Sequence, residues 1–139
     1  MITIFSYRLP GKNRVIKQTY HIKASVIDVW TALTVPKIIS QWSGDSAIMD
    51  DNEGTEFKLW GGDIWGTNTK VIRNKLLQQD WYGDRWPKPS KLTIKLSEIN
   101  AITTIELTHS NIPKAEEKDF ADGWKDYYFG PMKELLESA

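Results

Sequence analysis

Apolar and polar residues first alternate between Val15 and Lys23. Ile16, Tyr20 and Ile22 fall on one side and Lys17, Thr19 and His21 on the other. A period of two marks a half-buried strand. Residues 1–14 precede it as a lead-in, with Pro10-Gly11-Lys12-Asn13 as a turn. Ser25 with Asp28 three residues on resembles a capping box, and Val26, Val29, Trp30 and Leu33 follow at helical spacing. Thr34-Val35-Pro36 interrupts this helix, and Pro36 is suited to the first turn of a second one ending at Trp42. Strand patterns dominate from Ala47 to Thr108. Asn52-Glu53-Gly54, Gly61-Gly62-Asp63, Gly83-Asp84, Pro87-Lys88-Pro89 and Asn100-Ala101 punctuate them as turns. Leu92, Ile94 and Leu96 alternate with Thr93, Lys95 and Ser97, and Ile105 and Leu107 with Glu106 and Thr108, which predicts an antiparallel meander with one wet face.

After Asn111-Ile112-Pro113 the period becomes helical. Phe120, Trp124, Tyr127, Tyr128, Met132 and Leu135 form one stripe and predict a helix over 116–138. Gly130-Pro131 should kink it, because proline removes a backbone donor and clashes one turn back. A proline inside an isolated helix costs ~3 kcal/mol. Burial of the stripe offsets that, at ~1.5–3 kcal/mol for each large apolar side chain. A sheet with one wet face must bury the other, and the C-terminal stripe is the large apolar helical surface at hand. The expected fold class is therefore α+β, a curved antiparallel sheet around a long C-terminal helix with two short helices after the first strand. Residues 15–139 make one domain behind the 1–14 lead-in.

Composition narrows the function. Lys plus Arg and Asp plus Glu are both 18, so the basic excess that neutralises phosphates is missing and nucleic acid is not an expected partner. The charge is uneven, mostly basic before Ser40 and mostly acidic from Glu116 to Glu137. No stretch approaches the ~18 apolar residues of a membrane span, so no membrane partner is expected. The start of the chain, Met-Ile-Thr-Ile-Phe-Ser-Tyr-Arg, has no signal-peptide pattern, and cysteine is absent. A cytoplasmic location is the expectation. Seven Trp, five Tyr and four Phe suit either a bulky core or an apolar pocket.

The chemical motifs are sparse. His21 lies on the wet side of the first strand and His109 just past the last one, so both are expected at the surface without a functional role, and neither has metal-ligand spacing. Asp50-Asp51-Asn52-Glu53-Gly54 fails as a calcium loop, because its sixth and twelfth positions are Thr55 and Gly61. The glycines at 61, 62 and 66 lack the ending of a phosphate-binding loop, and no nucleophile elbow occurs. No catalytic residue, metal or cofactor is assigned. Trp81-Tyr82-Gly83-Asp84-Arg85-Trp86-Pro87 is the most distinctive stretch, either indoles capping the core or the rim of a pocket or contact patch.

That stretch is followed by Leu92-Thr93-Ile94-Lys95-Leu96, Thr103-Thr104-Ile105-Glu106-Leu107, Ile112-Pro113 and Gly123-Trp124-Lys125-Asp126-Tyr127-Tyr128-Phe129, in that order. With Val29-Trp30-Thr31-Ala32-Leu33-Thr34 and Trp42 ahead of them, they resemble the C-terminal domain of the activator of Hsp90 ATPase family over about Lys17 to Leu136. That family is part of the START-like or SRPBCC group. The resemblance implies a helix-grip fold with a cavity between sheet and last helix. It implies as partner a small apolar ligand or, alternatively, an Hsp90-type chaperone in a co-chaperone or stress-response role. The residues expected to line the cavity are Trp65, Trp81, Trp86, Trp124, Tyr128 and Met132.

Overall fold

The computed structural model describes residues 2–8 and 14–138, with side chains from Val15 onward. Seven strands form one antiparallel sheet: β1 (Ile2–Arg8), β2 (Arg14–Ile22), β3 (Glu56–Leu59), β4 (Ile64–Ile72), β5 (Leu76–Tyr82), β6 (Ser90–Ile99) and β7 (Ile102–Ser110). Their order across the sheet is β1-β2-β7-β6-β5-β4-β3. The meander from β3 to β7 therefore uses local connections, while β2 closes on β7 from far away in sequence, Ile22 opposite Thr103 and Val15 opposite Ser110. The lead-in holds a strand that the alternation did not indicate: β1 pairs with β2 from Ile2–Tyr20 to Arg8–Arg14. The turn expected at Pro10–Asn13 lies outside the described residues.

Helices α1 (Val26–Thr34) and α2 (Pro36–Ser43) follow β2. Ser25 caps α1 by accepting from the Asp28 N–H at 3.1 Å, a bond that satisfies one of the free donors of the first turn. Val35 is extended, as the residue before a proline prefers, so α1 stops there and α2 restarts at Pro36. Val29, Trp30, Ala32 and Leu33 of α1 and Ile39 and Trp42 of α2 are buried against the core.

The concave face of the sheet carries alternate residues of every strand from β2 to β7. Ile16, Tyr20 and Ile22 come from β2, Ile105 and Leu107 from β7, Leu92, Ile94 and Leu96 from β6, Leu77 and Trp81 from β5, and Phe57 and Leu59 from β3. Gln18, Asn68, Gln79, Ser90, Thr103 and His109 are buried on the same face. Their polar atoms are satisfied: among the described residues no buried side-chain N or O lacks a partner. Such a face is costly to dehydrate unless its members bond one another, which ties each strand to a fixed register.

The C-terminal helix lies across this face. A short turn at Lys114–Glu116 leads into α3 (Glu117–Gly123), a π-helical stretch over Trp124–Phe129 and α4 (Gly130–Glu137). The disturbance expected at Gly130-Pro131 takes the form of this π stretch, in which Gly130 N–H bonds the Lys125 carbonyl five residues back. The extra residue in the turn also changes the buried set. Trp124, Tyr128, Phe129 and Met132 are buried, Phe120 and Leu135 only half-buried, and Tyr127, placed in the stripe by its spacing, is 68% exposed. With a strict 3.6-residue period Trp124 and Phe129 would stand about 140° apart around the helix; one inserted residue narrows that angle, and both are buried.

Candidate functional site

A cleft of about 290 Å³ opens where the helix passes the far end of the sheet. Trp60 and Ile64 form one wall, Trp81 of β5 the floor, and Asp119, Phe120, Gly123, Trp124, Tyr127 and Tyr128 the helix side. Apart from Asp119 the lining is aromatic, apolar or glycine. The volume sits at the low end of the ~300–1,000 Å³ range of small-molecule sites.

Trp60 is set by its local backbone. Trp60, Gly61 and Gly62, in the turn between β3 and β4, all have positive φ, at 49°, 66° and 106°. Two glycines reach these angles freely, whereas a tryptophan there is uncommon and is held by its surroundings. The result turns the Trp60 ring edge-on to Trp81 at 6.4 Å and to Tyr128 at 6.2 Å. Trp81 is brought in from the other side by Gly66, its partner on β4. A Cβ at Gly66 would stand 1.7 Å from the Asp80 carbonyl oxygen, so only glycine lets β5 lie this close.

Sheet and helix meet through Trp81 and Trp124, whose rings are 4.9 Å apart, and Trp124 packs on Tyr128 at 4.7 Å. Rings therefore fill much of the space between the layers, and the cleft lies at its corner. Two polar chains fix the floor from behind. Trp81 Nε1 donates to Gln79 Oε1 at 2.8 Å, and Gln79 Nε2 donates to Asn68 Oδ1 at 2.8 Å. Trp124 Nε1 donates to His109 Nδ1 at 3.1 Å, His109 Nε2 lies 2.7 Å from Ser90 Oγ, and Ser90 Oγ donates to the Trp81 carbonyl at 3.2 Å. An indole N–H only donates, so Nδ1 is the acceptor and the imidazole proton sits on Nε2.

The expectation of a surface His109 is thus corrected. β7 runs through Ser110, and the alternation that buries Thr103, Ile105 and Leu107 buries His109 as well. Burial pushes its pKa down from 6.5 to about 3. The contact with Ser90 is not a nucleophile–base pair, since Nε2 carries a proton and cannot accept the hydroxyl's, and both residues are sealed behind Trp81 and Trp124. His21 is half-buried on the outer face, its Nδ1 3.1 Å from Thr104 Oγ1. Burial raises the Tyr128 pKa, which keeps a neutral phenol in the wall of the cleft. Among the described residues no group of three or more His, Cys, Asp or Glu could hold a metal ion. No helix there is long and apolar enough to cross a membrane.

Of the six residues expected from sequence, the structure brings Trp81, Trp124 and Tyr128 together in the cleft. Trp65 stands on the outer face of β4, 38% exposed and stacked on Tyr82 at 6.2 Å. Trp86 packs on Phe120 at 5.3 Å and donates to Glu116 Oε2 at 2.6 Å, beside the cleft and not in it. Met132 is wholly buried further along the helix. Sequence reasoning missed Trp60, Ile64, Asp119, Phe120, Gly123 and Tyr127. Parity was the available signal on β4: with Ile64, Gly66 and Asn68 inward, Trp65 must face out.

The family model described as activator of Hsp90 ATPase homolog 1-like protein matches residues 23–137. The chain is 24% identical over 115 residues to the mouse activator of 90 kDa heat shock protein ATPase homolog 2, an alignment covering 81% of this chain and 35% of that protein. The chain spans between 30% and 38% of the length of the curated relatives it matches. Among solved structures, an HSP90 activator from Plasmodium falciparum superposes with a TM-score of 0.82 at 21% identity, covering 88% of this chain and 96% of that one. CalU16 from Micromonospora echinospora superposes with a TM-score of 0.80 at 23% identity, covering 98% and 83%. At these identities the two structures establish the α+β helix-grip fold.

Proposed function

We propose that this chain, which belongs to the activator of Hsp90 ATPase homolog 1-like protein family, is a non-catalytic START-like module that binds a small apolar molecule in the cleft at Trp60, Trp81, Trp124 and Tyr128. The observation that carries this reading is the cleft itself, about 290 Å³ walled by aromatic rings that are held from behind by hydrogen bonds. Pre-positioned walls lose little entropy when a ligand enters, so contact area is converted into affinity. The size limits the ligand to about two or three six-membered rings or a chain of similar volume.

Tryptophan emission during titration with N-phenyl-1-naphthylamine, a neutral probe, tests the reading. Trp60, Trp81 and Trp124 surround the site, so binding should quench them with single-site saturation. Gly123→Leu is the matching control. A Cβ at Gly123 meets only Tyr127 Cδ2 at 3.7 Å, so a larger side chain enters the cleft without displacing backbone. Unchanged emission up to the solubility limit of the probe, or equal quenching in Gly123→Leu, would sink the proposal.

A second reading takes an Hsp90-type chaperone as the partner, with a cytoplasmic site of action. Its support is the description of the mouse relative and of the Plasmodium structure as activators of that chaperone. ATP turnover by a purified Hsp90-type chaperone should rise when the chain is added. No rise, together with separate elution of the two proteins, would remove this reading and leave the cleft reading untouched.

A further inference from the structure

We infer that the cleft selects an organic cation, a small flat apolar body carrying a protonated amine or quaternary ammonium group. The inference rests on the cleft being a ligand site and adds the charge of its occupant. The walls are ring faces and edges of Trp60, Trp81, Trp124 and Tyr128, with the exposed Tyr127 ring at the mouth. The negative faces of aromatic rings attract a cation within about 6 Å of their centres. Those same faces repel a carboxylate or phosphate.

The charged groups around the opening have the same sign. Asp119 is the one charged residue in the lining, and it takes no part in the ion pairs formed among the described residues. Ile64 and Phe120 also line an adjoining depression, whose charged residues are Asp63, Asp84 and Glu116, with no Lys or Arg among them. Two basic residues adjacent in sequence to these carboxylates are already paired. Arg85 reaches Asp84 at 3.8 Å with both side chains almost fully exposed, and Lys118 is drawn to Asp122 on the helix surface at 3.2 Å. Glu116 accepts from Trp86, which fixes its carboxylate beside the opening. That leaves Asp119 and Asp63 as carboxylates at the rim that none of these ion pairs engages. An anionic ligand such as a fatty acid would place its head against them with no compensating cation in the lining. A cationic head set between Asp119 and the Tyr127 and Trp60 rings meets favourable charge on each side.

Three probes that share one ring system and differ in charge decide the matter: 1-naphthylmethylammonium, 1-naphthalenemethanol and 1-naphthoate, each competing against N-phenyl-1-naphthylamine at low salt. The cation should compete at about a tenfold lower concentration than the alcohol, and the naphthoate should be the weakest. Asp119→Asn should remove most of that preference, weakening the cation several-fold more than the alcohol. Added salt should narrow it in the native chain. Equal affinity for cation and alcohol, or no competition by the cation in a chain that binds the neutral probe, overturns the inference while the cleft reading stands. A preference that survives Asp119→Asn intact overturns the assignment to that carboxylate. A chain that binds none of the four molecules overturns both the inference and the reading beneath it.

Discussion

Trp124 can donate its indole proton to His109 only while that imidazole is neutral, and burial makes neutrality the low-energy state. The linkage has a definite sign. The folded pKa of about 3 lies below the ordinary 6.5, so between these values the unfolded chain binds a proton that the folded chain refuses. Stability from this site is complete above about pH 6.5 and falls as pH drops toward 3, by roughly 1.4 kcal/mol per unit. The Asp50 and Glu137 carboxyls, both lowered chiefly by side-chain hydrogen bonds, from Thr55 and from Lys133, lose their contributions only in the more acid range where carboxylates protonate. His109→Phe inserts a larger ring that cannot titrate and leaves the Trp124 N–H without its acceptor, a loss of about 2–4 kcal/mol at pH 7. Urea unfolding at pH 7, 5.5 and 4.5 should show the native chain and the variant converging by roughly 2–3 kcal/mol across that range. Curves that stay parallel would mean the imidazole is already charged or exposed in the folded state. The burial of His109 was within reach of the sequence, since it continues the parity of Ile105 and Leu107. Ending the strand at Thr108 hid it. Its bonds to Trp124 and Ser90 were not legible, because they depend on which strands and helix turns face one another.

At the scale of the helix, Gly130 and Gly123 make opposite predictions from the same substitution. Alanine normally strengthens a helix interior by about 0.5–1 kcal/mol over glycine. At Gly130 the added Cβ would lie 2.2 Å from the Lys125 carbonyl oxygen, which the π stretch places against that position. Gly130→Ala must therefore either spread the turn or return it to α geometry and rotate Tyr128 and Phe129 away from the core, so it should destabilise by about 1–3 kcal/mol. At Gly123 the Cβ has ordinary contacts, so Gly123→Ala should stabilise by the usual helix increment. Paired denaturation curves check both signs at once; a stabilising Gly130→Ala would show that the π stretch carries no strain-sensitive packing. The helix was plain in the sequence from its aromatic stripe. The π stretch was not, because spacing arguments assume one period throughout. That assumption put Tyr127 in the stripe and left Phe129 out of it.

Across the whole molecule, the seven-stranded order and the two short helices enclose the last helix on one side and leave the corner near Trp60 open. The fold class was legible because alternation, turn residues and the terminal stripe agree with one another. Strand β1 was not, since Ile2, Ile4, Phe5 and Tyr7 put apolar residues at both parities. The open corner was not legible either: local turn geometry at Trp60 and the π stretch around Tyr128 jointly make it. On the proposed reading, this arrangement couples ligand binding to global stability. The walls come from the β3–β4 turn, from β5 and from the helix, so unfolding any one of them destroys the site. A ligand at about 100 times its dissociation constant then adds about 2.7 kcal/mol to the folded state. For a domain of this size each kcal/mol raises the melting temperature by about 4 °C, so a shift of about 10 °C is expected. Gly123→Leu should fold with a melting temperature close to that of the native chain and show almost no shift at the same ligand concentration. Thermal melts followed by circular dichroism, with and without the ligand, measure both. An equal shift in the two proteins would place binding away from the cleft. A native chain whose tryptophans respond without any gain in melting temperature would mean that the ligand binds unfolded and folded forms alike.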